Sequence, residues 1–281
     1  MLEGQKCLVI GSGISGIGAV ALLEKYHADV VLYDSSDKLT KEDLEAKLPG
    51  ESKAVCIAGE LPEEVELSIQ AAVLSPGVPT DIPLVNRMRD RGVQILGEIE
   101  LGFLAEQGRV IAITGTNGKT TTTTLTGEIM KAYFGKDKTF VVGNIGNPYT
   151  LEADKTSKDS VTVGEISSFQ LETIHTFHPV VSAILNITPD HLNRHHTMEA
   201  YVAAKEAVAS QQTKADICVL NYDNDYTRDF AGRCPATPVL FSSHHELENG
   251  YFLRGGKVMK GVNGEETELM VIHKDMNVVG L

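Results

Sequence analysis

With 281 residues, 42% of them hydrophobic, the chain is long enough for two ordinary domains with sizeable cores. A net charge of -13 argues against a generic nucleic-acid or anionic-membrane binder, since each needs a basic face. No apolar run is long enough to span a bilayer, the start MLEGQKCLVIGSG lacks a signal peptide's basic and apolar regions, and four scattered cysteines without metal spacing fit a reduced cytoplasm.

In chain order, Lys6–Ile10 reads as a strand, and the turn Gly11-Ser12-Gly13-Ile14-Ser15-Gly16 opens a helix to about Tyr26. A second strand, Asp29–Tyr33, ends in Asp34. A G-x-G-x-x-G turn between strand and helix, followed by an acid after the next strand, is the dinucleotide fingerprint in its proper context. It places a pyrophosphate on the helix start and Asp34 near a ribose or base, without saying which nucleotide. A tight turn without a ligand is the bland reading. Lys38–Leu48 reads as a charged helix, and Ala54–Ala58 and Ala71–Ser75 as strands. Ser75-Pro76-Gly77-Val78-Pro79 is a rigid turn after a strand's carboxyl end, where open α/β sheets bind ligands; a plain Pro/Gly turn fits equally. Ile82–Arg91 is helical and Val93–Leu96 a fifth strand. The spacing predicts a Rossmann-like domain over residues 1–97 and a second domain over 98–281.

The second domain is organised around Ile111–Thr122, IAITGTNGKTTT. Strand Arg109–Ile113 runs into Thr114-Gly115-Thr116-Asn117-Gly118-Lys119-Thr120-Thr121, which opens a helix to about Tyr133. Glycines let such a turn aim several backbone N–H groups at one anion, and the helix start adds free donors. Lys119 can reach the β/γ-phosphates and Thr120 can hold Mg²⁺. Ile113 stands where the general phosphate-loop pattern has its first glycine. Further strands at Thr139–Val142, Val161–Val163 and Val180–Leu185 end in Asn144, Glu165 and Asp190-His191. Polar groups at the carboxyl ends of parallel strands converge on one sheet edge. Glu165 reads as the acid that helps hold Mg²⁺, against an N-cap or surface acid; His191 reads as a second cation ligand or phosphate contact, against a loop histidine. Strands at Ile217–Leu220, Val239–Phe241 and Leu269–His273 follow, with a hairpin turning at Gly255-Gly256. The fold class is therefore α/β, a Rossmann-like domain followed by a P-loop ATPase-like domain with a mostly parallel sheet.

On the predicted helix Met198–Ser210, Met198, Val202, Lys205 and Ala209 share one stripe, so a lysine interrupts an apolar face. It either snorkels to the edge or is buried as a neutral, reactive amine. Such an amine takes up CO₂ to become a carbamate, an anion able to bind metal.

GTNGKTT, GNIG, EISSFQLE, NITPDHLNRH and YVAAK, in this order and over essentially the whole chain, resemble the Mur ligases of peptidoglycan synthesis, and among them the D-glutamate-adding members. The family's phosphate loop is similar to TGTNGKT, which accounts for Ile113. The resemblance implies an ATP-dependent amide ligation through an acyl phosphate, joining D-glutamate to UDP-N-acetylmuramoyl-L-alanine. It implies that Gly115–Thr121 hold ATP, that Thr120 and Glu165 bind one Mg²⁺, and that His191 and carbamylated Lys205 bind a second, with Lys119, His191 and Lys205 catalytic. It assigns the muramoyl–alanyl part to Asn144. The UDP moiety falls to Ser12, Ile14, Ser15, Asp34 and the Ser75, Pro76, Gly77 turn. Asn193 departs from the family's acid in DHLDRH, and Ser35-Ser36 gives no basic residue beside Asp34. Family members carry a third, amino-acid-binding domain. The chain is thus expected to be a portion of a cytoplasmic, monomeric ligase, able to bind substrate but not to turn over by itself. A sister Mur enzyme or a folylpolyglutamate-type synthetase is the alternative ligase. An NAD-dependent oxidoreductase would leave GTNGKTT unexplained.

Overall fold

The computed structural model describes residues 2–271. The strand expected at Leu269–His273 falls partly outside them. Within them the chain forms two sheets.

The first is a five-stranded parallel sheet of β1 (Lys6–Ile10), β2 (Asp29–Asp34), β3 (Val55–Ala58), β4 (Ala71–Leu74) and β5 (Gln94–Gly97), in the order β3-β2-β1-β4-β5. Its central strands are near-continuous apolar runs because helices cover both faces. One of these helices, α1 (Ile14–Lys25), buries Val20, Leu22 and Leu23. Strand order reverses between β1 and β4. That opens a crevice at their carboxyl ends, where the Gly11–Gly16 and Ser75–Val78 turns lie.

The expected helix over Lys38–Leu48 is shorter, α2 (Lys41–Glu45). Thr40 and Asp43 form a reciprocal capping box that fixes its start. A short helix α3 (Glu63–Ser68) was not anticipated; it begins after Pro62, without a side-chain cap, and three acids fill its first turn. The fourth helix, α4, spans Pro83–Asp90.

From Gly97 the chain passes directly into α5 (Glu98–Ala105). Its acids point inward and fasten the next layer. Glu98 accepts the Thr150 N–H and hydroxyl at 2.8 and 2.9 Å, and Glu100 accepts the N–H groups of His175, Thr176 and Phe177. Burial raises the Glu98 carboxyl above its ordinary value, against the Thr150 bonds.

The second sheet has nine strands: β6 (Arg109–Thr114), β7 (Thr139–Gly143), β8 (Val161–Glu165), β9 (Val181–Ile184), β10 (Ile217–Asn221), β11 (Thr237–Ser242), β12 (Gly250–Arg254), β13 (Lys257–Val262) and β14 (Glu265–Val271). Seven consecutive neighbours, from β7 to β12, pair in parallel, and β12-β13-β14 is an antiparallel extension turning at Gly255-Gly256. Strand β6 lies between β9 and β8, so the turn after it opens at the middle of the sheet. Helices α6 (Lys119–Phe134), α7 (Ser168–Leu171), α8 (Leu192–His195), α9 (Met198–Glu206) and α10 (Asp225–Ala231) connect the strands. All four cysteines are buried and unpaired. Among the described residues no helix is long and apolar enough to cross a membrane.

Candidate functional site

The loop after β6 has the geometry of a phosphate cradle. Gly118, the residue before α6, has φ +80°, a left-handed turn that glycine adopts at no steric cost. The first N–H groups of α6, on Lys119, Thr120 and Thr121, have no partner within the helix. The amides of Thr116 and Asn117 are committed instead: they donate to Asn186 O and Oδ1 at 2.9 and 2.8 Å. Asn186 Nδ2 returns a bond to Asn117 O at 3.0 Å. Thr188 N donates to the Thr116 hydroxyl, which also lies 3.1 Å from the Tyr201 hydroxyl. Asn224 in turn holds Ile187 by both its N–H and its carbonyl. The loop is thus braced from β9's extension, and its free donors gather at the helix start. Lys119 Nζ donates to Thr116 O at 2.9 Å.

Glu165, at the end of β8, is buried and joins two neighbours. Its Oε2 accepts from the Thr120 hydroxyl and its Oε1 from Asn144 Nδ2, each at 2.9 Å. A hydroxyl and a carboxylate beside a phosphate loop are the oxygen donors that Mg²⁺ takes, with waters and phosphate completing its shell. Among the described residues no three His, Cys, Asp or Glu side chains gather as a metal cluster. Thr120 and Glu165 offer oxygen atoms alone, which suits Mg²⁺ better than a structural zinc held by Cys and His.

Asn144 leads to the other site. Ser12, Ile14, Ser15, Asp34, Ser75, Pro76, Gly77 and Asn144 all line one cleft of about 540 Å³ between the two sheets' carboxyl edges. Helix α1 starts there without a side-chain cap. Asp34 Oδ2 accepts the Ser12 N–H and hydroxyl at 3.0 and 2.6 Å, and Oδ1 the Ser36 N–H at 3.1 Å. Burial works to raise the Asp34 carboxyl, but these bonds and the Lys47 charge hold it below its ordinary value. Lys47 Nζ donates to the Ser12 hydroxyl at 2.9 Å, so a basic group does stand beside Asp34. No local sequence signal points to it, because it arrives from the turn after α2.

Arg194 clamps the two layers. It donates to Pro76 O and Val78 O at 3.1 and 3.3 Å and pairs with Glu172 at 2.8 Å, its guanidinium 4.1 Å from the Phe169 ring centre. Asn193 carries no charge, and Glu172 of the SSFQLE stretch makes the ion pair with Arg194. Both partners are largely buried, so Arg194→Ala leaves the Glu172 carboxylate with only the longer His195 contact at 3.4 Å and is expected to cost about 2–3 kcal/mol. A thermal melt checks this, together with faster proteolysis at the 75–79 turn. His191 has φ +51° and packs on the same Phe169 ring, at 4.9 Å between centres.

Lys205 does not snorkel. It is 2% exposed, and its Nζ donates to Gly115 O at 2.7 Å, over the Tyr201 ring. Burial, then the Lys119 charge, lower its amine to about 7, with Asp190 opposing. Tyr201 lies one turn earlier on the same face of α9, and that i, i+4 spacing was the sign by which it was findable. A lowered pKa has a definite linkage sign. Below about pH 7 the folded chain bears the full cost of the buried charge; stability then rises with pH up to the ordinary 10.5, while only the unfolded chain keeps the proton. In CO₂-free buffer, Lys205→Met is expected to gain more stability over the wild type at pH 6 than at pH 9. An equal gain at both would put the amine's pKa outside this window.

Known proteins resemble the chain throughout. Residues 5–97 match the family model of a Mur ligase MurD-like N-terminal domain, and residues 113–278 that of the Mur ligase middle domain. A UDP-N-acetylmuramoylalanine–D-glutamate ligase of Lachnospira eligens is 52% identical over 279 residues, 99% of this chain and 61% of that protein. One of Clostridioides difficile is 42% identical, over 98% of this chain and 60% of that protein. The chain thus spans about three fifths of the length of these relatives. The crystal structure of UDP-N-acetylmuramate:L-alanyl-gamma-D-glutamyl-meso-diaminopimelate ligase from Neisseria meningitides shares the fold, with a TM-score of 0.56 and 14% identity, covering 93% of this chain and 85% of its own. With the middle-domain model matching more than half of its residues, the chain belongs to the Mur ligase family.

Proposed function

We propose that the chain provides the UDP-substrate and ATP sites of an ATP-dependent ligase that adds D-glutamate to UDP-N-acetylmuramoyl-L-alanine through an acyl phosphate. One observation carries this reading: the buried Glu165 carboxylate bonds both Thr120 of the phosphate loop and Asn144 of the cleft. A phosphate donor on the loop and a carboxylate acceptor in the cleft would meet beside it. In this reading residues 1–97 hold the UDP moiety and the chain from 98 onward holds ATP.

Lys119 and the free amides of Lys119, Thr120 and Thr121 bind the phosphates and stabilise charge on the transferred group. Asn144 orients the alanyl end, so that its carboxylate oxygen attacks the γ-phosphorus and ADP leaves. The D-glutamate amine then attacks the acyl carbon and expels phosphate. Thr120 and Glu165 would hold one Mg²⁺. His191 and a Lys205 carbamate would hold a second. Bound there, the cations would neutralise phosphate charge. Lys205 suits the modification, since a buried amine near pKa 7 is partly the free base, whose lone pair attacks CO₂ as the N–H proton is lost.

The oxidoreductase reading has less support. The Asp34 carboxylate accepts three bonds, two from Ser12 on the glycine-rich turn and one from Ser36, which leaves little capacity for ribose hydroxyls. The test is a set of calorimetric titrations with UDP-N-acetylmuramoyl-L-alanine, a folate substrate and NAD. Binding of the first alone is expected. Binding of NAD or the folate in its place would overturn the assignment.

A further inference from the structure

The cleft between the sheets has a charge problem. Its lining includes one ionisable side chain, Asp34, and that one is negative. The chain as a whole carries a net charge of -13. A nucleoside diphosphate brought here adds further negative charge, and neutral loop amides alone offset it weakly in so acidic a protein.

Among the described residues, two cations hydrogen-bond to residues of this lining. Arg194 is spent on Pro76 O, Val78 O and Glu172. Lys47 is not. Its Nζ lies 2.9 Å from the Ser12 hydroxyl and 3.4 Å from Ser12 O, and no carboxylate lies within ion-pair distance of it among the described residues. An ammonium has three N–H donors, so at least one remains for a ligand. The Ser12 hydroxyl donates onward to Asp34, so the lysine, the serine and the acid form one chain of bonds at the mouth of the glycine-rich turn.

We propose that Lys47 is a ligand-binding residue whose ammonium contacts the diphosphate of the nucleotide held in this cleft, while Asp34 fixes the loop that aims it. This rests on the UDP reading above. It divides the work differently from the sequence pattern: the acid organises the protein and the lysine meets the ligand.

The test titrates wild type, Lys47→Ala and Lys47→Arg with UDP and with uridine, which lacks phosphate, at low and high salt. Loss of one charge-assisted contact is expected to weaken UDP binding about tenfold or more in Lys47→Ala and to flatten its salt dependence. Lys47→Arg keeps most of the affinity, and uridine binds all three alike. Lys47 is exposed, so the alanine variant is expected to fold. Equal UDP affinity in wild type and Lys47→Ala overturns the proposal. So does a parallel loss of uridine binding, which would make Lys47 only a clamp on the loop. A wild type that binds neither compound would sink the UDP reading itself.

Discussion

Lys119→Ala is expected to lower affinity for ATP–Mg²⁺ about 100-fold, the loss of charge-assisted bonds to phosphate oxygens. The fold should survive, because among the described residues the side chain bonds only the Thr116 carbonyl on its own loop. A second effect distinguishes this from general damage. The Lys119 charge is the second cause, after burial, of the lowered Lys205 amine. Removing it moves Lys205 back toward its ordinary value. Labelling of the lysine amines at pH 7 would then show Lys205 less reactive than in the wild type. Unchanged nucleotide affinity would mean that the helix amides bind phosphate without the lysine.

Gly16→Ala is expected to have the largest effect on stability and on the cleft. A Cβ on Gly16 would stand 1.9 Å from Gly11 O and 3.1 Å from Ser75 Oγ. Backbone, not a flexible side chain, is in the way, so β1 and α1 must separate. The expected cost is about 3 kcal/mol or more, with a melting temperature lower by about 10 °C. Binding of UDP ligands should fall with it, because the Gly11 turn and Ser75 both line the cleft. ATP–Mg²⁺ binding, on the loop after β6 of the other sheet, should change little. A variant with wild-type melting and UDP affinity would mean the turn can relax without loss.

Several features were legible in the chain because they are local. Strands such as CLVI and the phosphate loop announce themselves through apolar runs and glycine placement. The ends of β1, β4, β6, β7 and β8 carry the polar residues that the structure collects at two meeting edges. Lys205 stood out as a charge on an apolar stripe, which left snorkelling and burial both open until the packing of α9 decided for burial. What stayed hidden depends on distance along the chain. Lys47 reaches Ser12 across 35 residues, Arg194 reaches Pro76 across 118, and Asn186 reaches Asn117 across 69. No periodicity encodes such meetings. Other misses were local and avoidable. Thr40 and Asp43 spell a capping box, and Asn224 caps the unanticipated α10 while it braces Ile187.

In the proposed function two nucleotide sites, one in the cleft and one on the phosphate loop, meet at Glu165. The most direct measurement is calorimetric titration of UDP-N-acetylmuramoyl-L-alanine into the chain, first alone and then with the loop saturated by a non-hydrolysable ATP analogue and Mg²⁺. One UDP ligand per chain is expected in both cases, with affinity raised by the analogue, and this coupling disappears in Glu165→Ala. Competition between the two nucleotides for one site would contradict it.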